Sequence, residues 1–466
     1  MDHQLTSRGP LRHPTAVAVQ LPSREPADGL ARYADLPQVC LLHSAAPEHP
    51  LSRYSFLAAD PVNVISERAE AWPSARERIR ATIQSGRLPF PDLPPLQGGW
   101  MGWLSYELGT AFDRTARHDC EPAPVPDIAL GLYDWVIAWD HATEQTWRIS
   151  SGCDASGNRD ASRAKHRADM VIERWNGGPT MHAGCEPGNN PALVKADFTA
   201  ESYRRAVATA IERILAGDIF QVNLAQRFSA PFTGSPLALY REVCRRTAAP
   251  MAAFVRRDGT HVVSASPERF LRFDPGTRQV ETRPIKGTRP RHADAARDAC
   301  VARELQASDK DRAENVMIVD LQRNDLARVC ERRSVRVPVL NALESHPTVH
   351  HLVSTVTGVL QSEFDALDLL AATFPGGSIT GAQKLRAMSI IRELEPVSRG
   401  VYSGSIGWIG LDGGMDTSIA IRTMTLADGI ATFHAGGGIT AQSDPEDEYQ
   451  EALDKARALI AAVTPR

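Results

Sequence analysis

Strand-like and helical stretches are both numerous in this 466-residue chain, and they do not alternate regularly. Short apolar and aromatic runs broken by Pro and Gly, as in residues 39–60 and 98–106, have the pattern of β-strands. Residues 203–215 instead have the apolar spacing of a helix, after a plausible cap at Thr199. A doubly wound parallel sheet would require regular alternation, so the pattern favours an α+β fold.

Four segments are expected along the chain. Residues 1–35 are polar and mixed, and we expect a poorly ordered N-terminal segment. A β-rich region follows over residues 36–175. Residues 176–190 are rich in Gly, Pro and Asn and lack apolar periodicity, which is typical of a linker. Residues 191–466 form the last region, which carries most of the motifs described below.

Charge and cysteine usage exclude several classes of protein. The formal net charge is -4 and no basic run stands out, so nucleic acid is not an expected partner. No apolar stretch approaches the ~20 residues that span a bilayer, and the N-terminus lacks the profile of a signal peptide. The 7 cysteines are scattered without a C-x-x-C motif, which argues against disulfides or a zinc site. We therefore expect a cytoplasmic protein.

Two acidic pairs lie on two predicted helices. Asp311 and Glu314 are three residues apart in the helical stretch 309–329, and Glu448 and Glu451 repeat the arrangement near the C-terminus. Residues at this spacing share one helix face. If the helices meet, four carboxylates converge, and a divalent cation such as Mg²⁺ would relieve their repulsion. The alternative is two solvated helix faces.

The C-terminal helix has clear boundary signals, with Asp444 as the cap and Pro445 in the first turn. The acidic pair lies on a different face from the apolar stripe, so we expect its carboxylates to stay out of the core. That stripe, predicted to be buried, comprises Tyr449, Leu453, Ala456, Ile460 and Val463.

Three glycine-dense stretches, residues 284–288, 375–381 and 435–440, are predicted loops whose backbone N–H groups could surround an anion. None has the spacing of a nucleotide-binding motif, and ordinary turns are the alternative. Arg422 lies between apolar neighbours, where an arginine usually needs a fixed anionic partner. It fits a carboxylate clamp or a structural ion pair.

The sequence resembles the chorismate-utilising enzyme family from about residue 41 to the C-terminus, and the matching motifs occur in the same order as in that family. The resemblance implies two large antiparallel β-sheets packed as a sandwich and flanked by helices, the fold of anthranilate synthase component I. One departure is Gln383, where the family usually has proline; this change is expected to loosen the turn slightly. The matching segments are residues 221–227, 266–270, 283–288, 310–325, 350–354, 374–388, 404–407, 415–423 and 435–439.

The resemblance also implies residue roles for a chorismate and Mg²⁺ site. Glu314 and Glu451 would bind Mg²⁺ directly, and Glu448 and Asp311 through water. Glu268 would protonate the leaving C4 hydroxyl. The two substrate carboxylates would be held by two further sets of residues: Gly287, Thr288, His351 and Lys455 for the ring carboxylate, and Tyr402, Arg422, Gly436 and Gly438 for the enolpyruvyl carboxylate. Relatives bind tryptophan near a motif like the one containing Leu42 and Ser44, which here is either a tryptophan site or purely structural.

Two positions indicate a branch of the family. Members that use water carry a lysine base where this chain has Gln221, and an amide cannot act as a base. Anthranilate synthases carry alanine at the position of Lys286. A lysine there resembles the branch that forms 4-amino-4-deoxychorismate for folate and p-aminobenzoate biosynthesis, in which the amine attacks C2 before ammonia attacks C4. A lysine that only neutralises substrate charge is the alternative role.

The alternatives for the whole chain are component I of an anthranilate synthase and a non-catalytic tryptophan sensor. The retained residues Glu268 and Lys286 and the four acids disfavour the sensor. A glutaminase needs a nucleophilic cysteine on a sharp glycine turn. Cys185 is the only superficial candidate and lacks such a turn. We therefore expect a separate glutamine amidotransferase subunit to supply ammonia.

Overall fold

The computed structural model describes residues 10–83, 88–112, 122–178, 194–345 and 349–464. In this part of the chain the strands form two antiparallel sheets, one of 12 strands and one of 10. No helix in the described ranges is long and apolar enough to cross a membrane.

The strands, in chain order, are β1 (Leu11–His13), β2 (Ala16–Leu21), β3 (Cys40–His43), β4 (Tyr54–Ala58), β5 (Asn63–Glu67), β6 (Gly99–Leu104), β7 (Ile128–Tyr133), β8 (Trp135–Asp140), β9 (Gln145–Ser150), β10 (Lys195–Ala196), β11 (Val222–Pro231), β12 (Met251–Arg257), β13 (Thr260–Ser266), β14 (Arg269–Phe273), β15 (Gln279–Thr282), β16 (Ile285–Pro290), β17 (Arg336–Ser345), β18 (Val349–Val359), β19 (Ser405–Gly410), β20 (Met415–Ile419), β21 (Thr423–Ala427) and β22 (Ile430–Ile439).

The helices are α1 (Pro26–Leu30), α2 (Trp72–Thr82), α3 (Gly109–Phe112), α4 (Ala161–Asn176), α5 (Ala200–Leu215), α6 (Pro236–Arg246), α7 (Ala295–Ala307), α8 (Asp309–Ala327), α9 (Ala366–Thr373), α10 (Lys384–Leu394) and α11 (Pro445–Val463). Short 3₁₀ helices lie at Ala69–Ala71, Tyr106–Leu108 and Gly377–Ile379.

The 12-stranded sheet has the spatial order β1-β2-β9-β8-β4-β3-β12-β13-β21-β22-β11-β10. The 10-stranded sheet has the order β16-β18-β15-β14-β20-β19-β6-β7-β5, and β17 also pairs with β18. Both sheets therefore combine strands from the two halves of the chain. This mixing explains why the sequence shows no regular alternation of strands and helices.

The two sheets pack face to face around a shared core. Trp103 and Tyr133 of the 10-stranded sheet belong to the same buried cluster as Val136 and Val255 of the 12-stranded sheet. Helices α4, α6 and α11 cover the other face of the larger sheet, and α2, α8 and α9 cover that of the smaller one. The predicted α+β sandwich flanked by helices is confirmed.

The N-terminal segment differs from its prediction where the structure describes it. Strands β1 and β2 form a hairpin, and β2 pairs with β9 at the edge of the larger sheet. Ala16 and Ala18 are fully buried, so alternating small apolar side chains hold this segment on the core. The expectation of poor order thus does not apply to residues 10–35. Residues 179–190 of the predicted linker, with Cys185, lie outside the described residues.

Candidate active site

The two helices that carry the acidic pairs meet in the structure. Helix α8 begins after Ser308, whose Oγ accepts a hydrogen bond from the backbone N–H of Asp311, and it packs on β16 and β18. Helix α11 begins after Asp444, whose side chain accepts two backbone N–H bonds, and it packs on β22. The Lys310 Nζ on α8 lies 3.4 Å from Oε1 of Glu448 on α11. Both sets of acids therefore face one region.

Glu314 is the centre of this region. Its Oε1 accepts a 2.6 Å hydrogen bond from Nζ of Lys286 on β16, and a second hydrogen bond from Nε2 of Gln221 just before β11. Lys286 is 9% exposed, so this ion pair is largely removed from water. A lysine, an amide and a carboxylate from three separate parts of the chain thus share one oxygen atom.

Glu448 and Glu451 lie beside this centre. Oε1 of Glu448 accepts a 2.6 Å hydrogen bond from Ser443, and Oε1 of Glu451 lies 2.6 Å from Nζ of Lys455. The Nζ of Lys455 also donates to the carbonyl of Gly436 at 2.9 Å. The charge of Lys455 lowers the pKa of Glu451, whereas burial raises the pKa of Glu448.

The burial of helix α11 corrects one expectation. Glu448 is only 3% exposed, while Tyr449 and Leu453, predicted to be buried, are partly exposed. The buried face is therefore shifted by about one residue from the predicted stripe. The hydroxyl of Ser443 and the ammonium of Lys310 compensate the buried carboxylate, which makes this position tolerable.

Two of the three predicted glycine loops are strands. Residues 285–288 belong to β16, and residues 435–439 belong to β22. A Cβ atom on Gly438 would overlap Gln221 Nε2 and Glu314 Oε1, and one on Gly437 would lie 2.9 Å from Glu448 Oε2. Glycine is therefore needed here so that acidic side chains can lie directly against the sheet. Residues 375–381 form a connection that contains the 3₁₀ helix Gly377–Ile379.

The turn at Gly287 brings further predicted residues together. Its φ of 71° is left-handed, and the β16–β18 register shifts at this point. Thr288 is consequently opposite His351, and its Oγ1 lies 2.9 Å from Nδ1 of that ring. Asp311 lies behind Gly287 and accepts a 2.9 Å hydrogen bond from Arg289. Of the four acids, Asp311 is thus the one held by an arginine.

Glu268 lies between β13 and β14 and is 3% exposed. Burial raises its pKa to about 7, although a hydrogen bond from Ser378 and the nearby charge of Lys286 both oppose this shift. The Ser378 hydroxyl donates to Glu268 Oε1 at 2.6 Å. Near neutral pH this carboxyl group therefore carries a proton for much of the time, as a general acid requires.

Tyr402 contacts β22, and Arg422 lies just before β21. The Tyr402 ring is stacked on His434, with ring centroids 4.9 Å apart. Arg422 is partly buried at a left-handed position between β20 and β21, and burial lowers its pKa. Among the described residues its guanidinium has no carboxylate partner within ion-pair distance. This leaves a cation available for an external anion.

The candidate tryptophan residues lie elsewhere. Leu42 and Ser44 line a cavity of about 940 Å³, which strands from both sheets surround. The Ser44 hydroxyl donates to the carbonyl of Tyr54 at 2.7 Å, and its backbone N–H donates to Ser55 Oγ. None of the acidic residues of α8 and α11 lines this cavity. It is therefore separate from the acidic cluster.

Sequence reasoning assigned no site role to Lys310, Ser378 or Ser443. Ser378 lies in a glycine-rich stretch, and its hydroxyl is the one signal in the sequence that indicates a side-chain role there. Nothing in the sequence indicates a role for Lys310, because its partner Glu448 is distant in sequence. Nothing indicates a role for Ser443 either, because it lies before the start of the helix that carries Glu448. Within the described ranges, no group of three or more His, Cys, Asp or Glu side chains is arranged to hold a metal ion.

Residues 38–461 match the family described as chorismate binding enzyme, and the chain belongs to this family. The protein named aminodeoxychorismate synthase component 1 from Salmonella typhimurium is 41% identical over 444 residues, covering 91% of this chain and 93% of that protein. The anthranilate synthase component 1 of Streptomyces coelicolor is 39% identical over 431 residues, covering 91% of this chain and 83% of that one.

A solved structure shares the fold. The anthranilate synthase component I of Streptococcus pneumoniae superimposes with a TM-score of 0.77 at 30% sequence identity, covering 89% of this chain and 93% of that chain. The sandwich of two sheets is therefore common to both.

Proposed function

We propose that this chain is component 1 of an aminodeoxychorismate synthase, which converts chorismate and ammonia to 4-amino-4-deoxychorismate and water. The observation that carries the proposal is Lys286, a buried amine directed at Glu314 in the middle of the acidic cluster. Anthranilate synthases resemble this chain but carry alanine there. Overall identity does not separate the two activities, since relatives of both kinds are 39% to 41% identical to this chain.

Lys286 would act as the nucleophile. Its ammonium group would first give a proton to solvent. The neutral amine then forms a bond to C2 of chorismate, the two ring double bonds move one position, and the C4–O bond breaks. The hydroxyl leaves as water with the proton of Glu268. Ammonia then attacks C4, the double bonds return, and the bond between C2 and lysine breaks. The proton released by the attacking ammonia restores Glu268.

Glu268 suits the role of the acid because it is buried. Burial favours the protonated form and raises the pKa to about 7, which keeps a proton available. The hydrogen bond from Ser378 fixes the orientation of its Oε1. The backbone of Glu268 is also fixed, because its carbonyl accepts a 3.0 Å hydrogen bond from the N–H of Ile419.

The two carboxylates of chorismate would bind to two cationic regions. Lys455, Gly287, Thr288 and His351 would hold the ring carboxylate. The unpaired guanidinium of Arg422, with Tyr402, Gly436 and Gly438, would hold the enolpyruvyl carboxylate. Within the described ranges Arg422 has no carboxylate partner, which supports this second assignment, since the fork geometry of a guanidinium matches a carboxylate.

The donor set fits Mg²⁺, which prefers oxygen ligands and usually takes only one or two carboxylates directly. Glu314 and Glu451 would bind the ion, with Glu448 and Asp311 acting through water. The absence of a Cβ atom at Gly437 and Gly438 lets the carboxylate oxygens lie directly against the sheet. When bound, the ion would neutralise the ring carboxylate and the acids around it.

An anthranilate synthase component 1 is the second candidate, favoured by the similar identity of those relatives. One assay separates the two: purified protein is mixed with chorismate, Mg²⁺ and an ammonium salt, and the products are identified by mass spectrometry. Aminodeoxychorismate is expected, and anthranilate as the main product would overturn the proposal. Glutamine should not replace ammonium salts, because a separate amidotransferase would supply the ammonia.

A further inference from the structure

Arg399 is a buried arginine to which the mechanism above gives no role. It lies between α10 and β19, and its side chain is 1% exposed. Its Nε and Nη2 donate to the two carboxylate oxygens of Glu395 at 2.9 and 2.6 Å. Glu395 follows the last residue of α10 and is 4% exposed. A bidentate pair of this kind fixes both the position and the plane of the guanidinium.

The guanidinium also binds backbone carbonyls of two other segments. Its Nη1 donates to the carbonyl of Ile379 at 2.8 Å, and its Nη2 donates to the carbonyl of Asn223 at 2.7 Å. Ile379 is the last residue of the 3₁₀ helix Gly377–Ile379, and Asn223 belongs to β11. One side chain thus joins the end of α10, a strand of the larger sheet and the 3₁₀ helix.

The backbone and the plane of Arg399 are held as well. The carboxylate of Glu107 accepts the backbone N–H of Arg399 at 2.8 Å and that of Gly400 at 3.0 Å. The guanidinium carbon lies 4.6 Å from the centroid of the Tyr106 ring. A lysine at this position would keep the charge, but its single nitrogen lacks the planar fork that reaches a carboxylate and two carbonyls together.

The contact with Ile379 leads to the proposed acid. Ile379 follows Ser378, whose hydroxyl donates to Glu268 Oε1 at 2.6 Å. Besides this hydroxyl, the groups that act on the Glu268 carboxyl are the charge of Lys286 and the backbone N–H of Ile285. A hydrogen bond that fixes the end of the 3₁₀ helix therefore also fixes the distance between the serine hydroxyl and the acid.

We propose that Arg399 is a positioning residue for the acid: by holding the carbonyl of Ile379, it keeps the Ser378 hydroxyl directed at Glu268. This inference rests on the proposed function, in which Glu268 protonates the leaving hydroxyl. Without this support the serine hydroxyl would move away from Oε1. The carboxyl group would then lose both its fixed orientation and a donor that stabilises its ionised form.

The test is the alkaline limb of the turnover number against pH, at saturating chorismate and a constant concentration of free ammonia. Arg399→Lys should move the limb to higher pH, in the same direction as Ser378→Ala and by no more than that variant does. It should also lower the maximal turnover number about tenfold, because the acid is less well oriented. Combined with Ser378→Ala, it should move the limb no further, because the hydroxyl through which it acts is gone.

Arg257→Lys is the matched control. Arg257 is 1% exposed, donates to the carbonyls of Gln38 and Met101, and lies over the ring of Tyr133, but it belongs to β12. This control should lose stability as Arg399→Lys does and leave the limb in place. Glu395→Gln loosens the same guanidinium from its other side and should move the limb to higher pH. It gives a second test that does not depend on how Arg399→Lys folds.

A limb that stays at its wild-type position in both Arg399→Lys and Glu395→Gln would overturn the positioning role. A shift of the same size with alanine in place of Ser378 would overturn it too, because Arg399 would then act on Glu268 by another route. Anthranilate as the main product of the wild-type chain would instead contradict the proposed function. The limbs of the variants could still be compared on that product, so the two failures are distinguishable.

Discussion

The ammonium group of Lys286 and the carboxylate of Glu314 form a 2.6 Å ion pair that is largely shielded from water. Glu314 belongs to helix α8 and Lys286 to strand β16, and the Glu314 carboxylate lies against Gly438 of β22. Glu314, a proposed metal ligand, thus contacts the proposed nucleophile Lys286 directly through its Oε1. A change to either residue is therefore expected to affect catalysis and also to lower stability, because it leaves the other charge buried without its partner.

Lys286→Ala should reduce aminodeoxychorismate formation about 10²-fold or more, the scale of losing a catalytic group. The vacated space would let ammonia approach C2 directly, so some anthranilate-type product is expected. Lys286→Arg should not restore activity, because a guanidinium stays protonated and cannot attack. Steady-state turnover with product identification by mass spectrometry measures each outcome. Near-normal turnover by the arginine variant would show that only positive charge is needed.

The same residue is expected to form a covalent adduct when ammonia is withheld. Wild-type protein mixed with chorismate and Mg²⁺ should gain the mass of chorismate less water on a peptide containing Lys286. Lys286→Ala is the control and should gain none. An unmodified wild-type peptide under conditions that support turnover would contradict the nucleophile role.

Glu268 should set the alkaline limb of the pH profile. Because the acid must be protonated to act, turnover should fall as the pH rises through about 7, the pKa of this buried carboxyl group. Ser378→Ala removes a donor that favours the ionised form, so the limb should move to higher pH. The measurement is the turnover number across pH at a constant concentration of free ammonia. A limb unmoved in the serine variant would show that Ser378 does not act on Glu268.

Glu314→Gln and Glu451→Gln should abolish activity and weaken Mg²⁺ binding, because each removes an anionic oxygen from the proposed metal site. The fold should persist, although Glu314→Gln should lower the melting temperature because it leaves the buried ammonium of Lys286 without its charged partner. Asp447→Asn is the control, an exposed acid on the same helix as Glu451. Calorimetric titration with Mg²⁺ gives a readout that does not depend on turnover. Wild-type Mg²⁺ affinity in either glutamine variant would remove that residue from the metal site.

Gln383 gives a prediction about stability. Its φ of 65° is left-handed, a value that the ring of proline cannot adopt. The backbone here therefore has a conformation that excludes proline, rather than a slightly loosened form of a proline turn. Gln383→Gly should raise the free energy of unfolding by roughly 0.5–1 kcal/mol. Gln383→Pro should lower it, because the proline ring fixes φ at a negative value and the turn before Lys384 would have to change. Thermal denaturation of both variants checks the two signs; a stabilising proline would contradict this turn geometry.

The sequence by itself determined the local features of this protein. The spacing of Asp311 and Glu314, like that of Glu448 and Glu451, fixes each pair on one helix face, and the caps Thr199 and Asp444 start helices where predicted. These features depend on contacts within a few residues, which a linear pattern records. The resemblance to a family added the sandwich of two sheets, which the chain pattern alone left as an α+β fold.

Only the tertiary structure decided which of these local features meet. It placed residues 435–439 in a strand rather than in a loop, since this part of β22 pairs with residues 222–226 of β11. It buried Glu448, because Lys310 and Ser443 are there to compensate the charge. It also brought Gln221, Lys286 and Glu314 to one oxygen atom. Such contacts join residues that are distant in sequence, so they depend on how sheets and helices pack and not on any local pattern.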